Sequence, residues 1–126
     1  MSFAGSAGNF TASGTTFSSV LSNAEYLDFS GTTGTASVSL GGSDVQRILT
    51  GTTSSSASAA ILDLKFEVGD SFSLLNDAGY SYWNAASGGS SISGTSTFNS
   101  FTTAGADIFV FNAGHTTLLA TIHYHN

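Results

Sequence analysis

His123 and His125 alternate near the end of the 126-residue chain, with His115 a short way upstream. On a β-strand, residues i and i+2 share a face, and two imidazoles roughly 7 Å apart can grip one transition-metal ion. A single chain offers only these two or three nitrogen ligands, with no carboxylate close to them in sequence. His123 and His125 are therefore metal candidates only where several chains meet about an axis, and no resident cofactor is expected. The competing reading is a polar strand end whose histidines face water while Ile122 and Tyr124 face the core. The chain contains no cysteine, which removes disulfides, thiol nucleophiles and thiolate metal sites.

A second constellation is aromatic. Tyr80-Ser81-Tyr82-Trp83-Asn84 places Tyr80 and Tyr82 on one face of a strand and Trp83, the only tryptophan, on the other. Exposed aromatics stack on sugars or anchor an interface, so Tyr80, Tyr82 and Trp83 are binding candidates, joined by Phe3 and Phe10 in an otherwise small and polar opening segment. Their alternative role is a core face backed by a cross-strand ladder. Gly69-Asp70-Ser71-Phe72 is similar to the Gly-Asp-Ser start of one esterase group, in which the serine needs a histidine base and an orienting acid. That group resembles a larger α/β sheet with Asp and His close together near the C-terminus. Here the nearest pairing, Asp107 with His115, falls on different expected strands, so Gly69-Asp70 reads as a turn and no enzyme is expected. Asn9-Phe10-Thr11 fits a glycosylation acceptor by pattern only. The acidic pairs Glu25/Asp28 and Asp70/Asp77 lack the Asp-x-Asp-x-Asp spacing of a calcium loop and read as turn and cap residues.

The elements that must hold these groups carry almost no charge. Arg47 and Lys65 are the only fixed cations, 8% of residues are charged, and the net charge is −6; ordinary soluble domains carry about 25% charged residues. Clustered Lys and Arg are absent, which argues against nucleic acid and against anionic membrane surfaces. Aromatic residues at 12% separate the chain from disordered sequences. The length fits one β domain over 1–126, whose residues 1–16 are expected to form an extended N-terminal arm. No run approaches the ~20 apolar residues of a membrane helix, and the start Met1-Ser2-Phe3-Ala4-Gly5 shows no secretory leader.

Strand signals dominate. Residues 32–40 alternate, with Ala36, Val38 and Leu40 on one side and Thr35, Ser37 and Ser39 on the other. Val45, Ile48 and Leu49 suit a short helical turn or a strand capped by Ser43 or Asp44. Residues 58–66, Ala-rich behind a serine cap, are expected to form a short helix; the rival is a strand with Leu62, Leu64 and Phe66 on one face. Strands follow at 70–75, 80–86, 91–101, 107–111 and 115–124, separated by Asn-Asp-Ala-Gly, Ser-Gly-Gly and Asn-Ala-Gly turns. The expected fold is mainly β: an antiparallel β-sandwich or jelly-roll-like domain with at most one or two short helices.

Ile48-Leu49-Thr50-Gly51, Ser58-Ala59-Ala60-Ile61-Leu62, Val68-Gly69-Asp70-Ser71-Phe72, Asn76, Gly88-Gly89 and Phe109-Val110-Phe111 together resemble a domain of tailed-phage virion proteins. The match spans roughly half the chain. It departs at a Pro that often precedes the Ala-rich stretch and at the Phe-Val order of the last strand. The His123-x-His125 pair likewise resembles pairs at iron-bound threefold axes in some phage spikes and fibres. The resemblance implies a structural virion component, a capsid decoration or fibre-associated protein without catalytic residues. It would be a homotrimer contacting a capsid or other virion protein. A sparsely charged Ser/Thr/Gly surface independently favours assembly. Two other functions remain open: a sugar-binding module, and a self-assembling filament or surface-layer subunit outside the cell.

Overall fold

The computed structural model describes residues 10–13, 21, 24–31, 34–50, 60–85, 89–92 and 95–126. Among these, ten strands and one helix appear in the order β1 (Phe10–Ser13), β2 (Tyr26–Asp28), β3 (Ala36–Leu40), α1 (Gly42–Thr50), β4 (Ile61–Lys65), β5 (Ser71–Leu74), β6 (Tyr80–Asn84), β7 (Ser91–Ile92), β8 (Ser96–Phe98), β9 (Ala106–Asn112) and β10 (Leu118–His125). They form two sheets. Sheet A has the order β2-β4-β10-β9-β6-β7 and sheet B the order β1-β3-β5-β8. The fold is mainly β and sandwich-like, with one short helix among the described residues. No described helix is long and apolar enough to cross a membrane.

The pairing is mixed rather than wholly antiparallel. The first five strands alternate between the sheets, so β1, β3 and β5 pair in parallel in sheet B while β2 and β4 pair in parallel in sheet A. Beyond β5 the connections become more local. Strands β6, β9 and β10 pair antiparallel as neighbours, and β10 closes in parallel against β4. Parallel neighbours need long crossovers, and here each crossover between the early strands is a trip through the opposite sheet.

Alternation decides which side chains enter the core. β3 buries Ala36, Val38 and Leu40 and turns Ser37 and Ser39 outward. The helix expected over 58–66 is not formed where the structure describes this stretch: Ile61–Lys65 is strand β4, with Leu62 and Leu64 buried and Asp63 and Lys65 turned out. A helix would rotate Leu62, Leu64 and Phe66 to different sides. A strand puts all three inward and gives both edges a ladder, to β2 and to β10; this tertiary gain overrides local propensity. Phe66, just beyond β4, stacks on Phe29, Phe72 and Phe101, at centroid distances of 5.4, 6.1 and 4.6 Å.

α1 is amphipathic and buries Val45, Ile48 and Leu49. Its N-terminus is capped by Tyr82 and Asp77 from elsewhere in the chain and by its own Asp44. The Gly42 amide donates to the Tyr82 hydroxyl (2.8 Å), the Ser43 amide to the Asp77 carboxylate (2.8 Å), and the Asp44 carboxylate accepts from Gly41 N–H (2.9 Å). These bonds satisfy amide donors that a helix start leaves unpaired. Asp70 is also structural. Almost wholly buried, it accepts from the amides of Ala36 (2.7 Å) and Glu67 (2.9 Å), tying the start of β3 to the turn before β5.

Candidate functional site

The outward face of sheet A collects the ionisable groups. Register places Tyr26, Asp63, His123 and Asp107 in one row across β2, β4, β10 and β9, with Asp28, Lys65 and His125 in the next. His123 Nδ1 donates to Asp107 Oδ1 at 2.5 Å, and His125 Nε2 donates to Asp63 Oδ1 at 2.6 Å. The two rings lie 5.2 Å apart, so β10 is bridged by side chains to both of its neighbours. His125 Nδ1 also faces the Asn126 carbonyl at 3.0 Å. Both nitrogens of His125 thus lie within hydrogen-bond distance of an oxygen. Burial first, then the Asp28 and Asp63 carboxylates, push the Tyr26 phenol above its ordinary range. For Asp28, burial pushes upward, but hydrogen bonds from the Ser30 hydroxyl and amide, with the Lys65 charge and a hydrogen bond from Tyr26, together hold the carboxyl below its ordinary value.

Further along the same face the chemistry turns apolar. Thr121, Phe109 and Trp83 follow Ile61 in register across β10, β9 and β6, and Phe111 lies two residues beyond Phe109. Ile61 is 53% exposed. His115, in left-handed backbone at φ 55°, stacks on Trp83 (3.6 Å, 11°) and meets Phe111 edge-on (4.4 Å). Histidine tolerates that conformation better than most residues. The Asn112 side chain fixes the turn by accepting from the Thr116 and Thr117 amides (2.8 and 3.1 Å).

The structure thus separates the expected site residues. His123 and His125 come together facing away from the core, beside two carboxylates distant in sequence. Among the described residues, no group of three or more His, Cys, Asp or Glu side chains is arranged to hold a metal ion. Tyr82 points into the core at 4% exposure, and its hydroxyl is occupied by Gly42 N–H and by the Leu75 carbonyl (2.8 Å). Tyr80 is half-buried and donates to the Gln46 amide oxygen. Tyr82 is therefore nearly closed to sugar stacking, and Tyr80 is partly accessible. Both tyrosines border a groove of about 460 Å³ lined also by Asn76, Asp77, Ser81 and Ile92. Trp83 lies on the opposite, outward side. Phe10 begins β1, paired with Ala36, and Phe3 lies outside the described residues. Ser71 of the Gly-Asp-Ser stretch reaches Ser37, at 3.4 Å on the outer face of sheet B, rather than a histidine.

Sequence reasoning missed Asp63 and Asp107 as partners of the histidines. Their signal is weak: each is the polar member of an alternating strand, and only the β4-β10-β9 register brings them to the imidazoles. No protein-family model matches the chain, and neither does any curated protein or any solved structure.

Proposed function

We propose that this chain is a non-enzymatic structural protein that stabilises an assembly through its sheet surfaces, of the capsid-decoration or cement type on a tailed-phage particle. It would act as a homotrimer seated on a capsid or other virion protein. The observation that carries this reading is the outer face of sheet B. There Ser37, Ser39, Ser71, Ser73 and Thr97 alternate outward on adjacent strands with no charged residue among them. The hydroxyls satisfy one another laterally, Ser73 with Thr97 at 2.9 Å, so covering this face strands few polar groups and orders only short side chains. At its edge β1 adds a parallel strand from the N-terminal arm, and the same register serves a neighbouring copy by strand exchange.

Mass measurement in solution with electron microscopy tests the reading. A discrete trimer that decorates particles supports it, an open polymer points to a filament subunit, and a stable monomer overturns assembly. Deleting residues 1–16 is expected to leave a folded chain that no longer assembles; undiminished assembly would sink the strand-exchange mechanism.

A second reading, a carbohydrate-binding module, is favoured by the groove beside Tyr80. It is of monosaccharide to disaccharide size, and its lining includes Asn76 and Asp77 without a cation. Glycan-array binding abolished by Asn76→Ala would favour this module over the structural role.

A further inference from the structure

We propose that the outward face of sheet A is a self-docking surface occupied by a second copy of this chain, and that protonation of His123 and His125 opens it. The inference rests on the assembly reading and adds a second contact face, on sheet A opposite to that of sheet B, and what controls it.

The face is accessible. Side-chain exposure is 30% at His123, 45% at Asp107, 17% at His125 and 39% at Asp63. Among the described residues, the strands that flank β10 place these charged side chains and one phenol in register with the two imidazoles. From β4 come Asp63, opposite His123, and Lys65, opposite His125; from β9 comes Asp107; from β2, one strand further, come Asp28 and the Tyr26 phenol. The segment before β9 brings only hydroxyls and backbone, including Thr102, whose Oγ1 accepts from Gly105 N–H. With both imidazoles neutral, three carboxylates against one ammonium leave the face at −2; two bound protons bring it to zero.

The occupant follows from complementarity. The chain has only two fixed cations, so most of the positive charge it can present resides in its three histidines. Two neutral-histidine faces are both acidic and repel. Two protonated faces each carry imidazolium beside carboxylate, so the row of one copy can meet the opposite charges of the next. The adjoining Ile61, Phe109 and Trp83 supply apolar area that such a contact covers. Imidazole is the side chain whose charge changes between about pH 5 and pH 8, so a comparison across that range reads the control.

Sedimentation velocity of the full chain between about pH 8 and about pH 5.5 tests this directly. Self-association is expected to tighten at least about tenfold on acidification. The doubly substituted His123→Gln, His125→Gln chain should lose most of that shift. Phe109→Asp should weaken association at the acid end, its fold checked by circular dichroism. Association equally strong at both pH values overturns the proton control while leaving assembly intact. Association only near the sequence pI of 4.4, unchanged by the histidine substitutions, overturns the proposal as general loss of net charge. A chain monomeric throughout overturns self-docking; if it then binds a lysine-rich peptide at about pH 8 and releases it at about pH 5.5, the face serves a basic partner instead.

Discussion

The cap of α1 and the outer rows of sheet A are built from similar parts, carboxylates bonded to hydroxyls, amides or imidazoles, yet they stand in opposite environments. At the cap, Asp44 and Tyr82 are buried and Asp77 is half-buried; their bonds fix backbone amides in one geometry. On sheet A, Asp63, Asp107 and His123 are bonded side chain to side chain with water within reach. Burial makes the first cluster expensive to break, because an orphaned buried amide or carbonyl costs about 1–3 kcal/mol. Exposure makes the second cheap to break, because an exposed pair contributes only about 0–1 kcal/mol. A cluster of the second kind can change protonation without unfolding the chain, as a responsive surface requires.

The sharpest break in this contrast is at Gly42. A Cβ there would come within 2.3–2.4 Å of the Tyr80 ring at its rigid base. Gly42→Ala should therefore destabilise by about 2–3 kcal/mol through overpacking, read as a lower denaturant midpoint at unchanged slope. Tyr82→Phe comes next. It removes both the acceptor for Gly42 N–H and the donor to the Leu75 carbonyl, at an expected cost of about 2 kcal/mol. Burial, chiefly, pushes the Tyr82 phenol above its ordinary range. Its contribution is therefore complete below about pH 10 and fades as pH rises further, because the unfolded chain ionises first. Alkaline titration of stability should fall less steeply in Tyr82→Phe than in the wild type; equal slopes would count against that role. On sheet A, Asp107→Asn should shift stability by less than about 1 kcal/mol at neutral pH. A loss as large as that of Tyr82→Phe would erase the contrast.

How much of this was legible in the sequence follows the range of the interaction. Strand β3, the outward placement of His123 and His125, and the split of Tyr82 from Trp83 all follow from alternation within one strand. β4 did not follow: its Ala-rich approach and serine favour helix locally, and only pairing on both edges selects a strand. The parallel pairings were also hidden, because hairpin-like turn signals say nothing about β1, β3 and β5 meeting after two excursions through the other sheet. The candidate site was half visible for the same reason. The imidazoles could be placed on a face, but the carboxylates that bond them come from strands 16 and 62 residues away.

The smallest effect tests whether the edge of sheet A behaves as an exposed cluster should. Ser30 donates to Asp28 Oδ1 through its amide (2.9 Å) and its hydroxyl (2.6 Å); against the upward push of burial these bonds, with the Lys65 charge and a Tyr26 hydrogen bond, hold the carboxyl below its ordinary value. A carboxyl lowered on folding stabilises the fold above the unfolded pKa, near 4, and loses that contribution as pH falls through the lower folded value. Ser30→Ala removes one of the two bonds. It should cost roughly 0.5 kcal/mol or less at neutral pH, and its difference from wild type should shrink below about pH 4. Denaturant midpoints compared at neutral and acid pH read the change. A difference that instead grew on acidification would mean the serine stabilises the protonated carboxyl, reversing the sign of Asp28's contribution to the sheet edge.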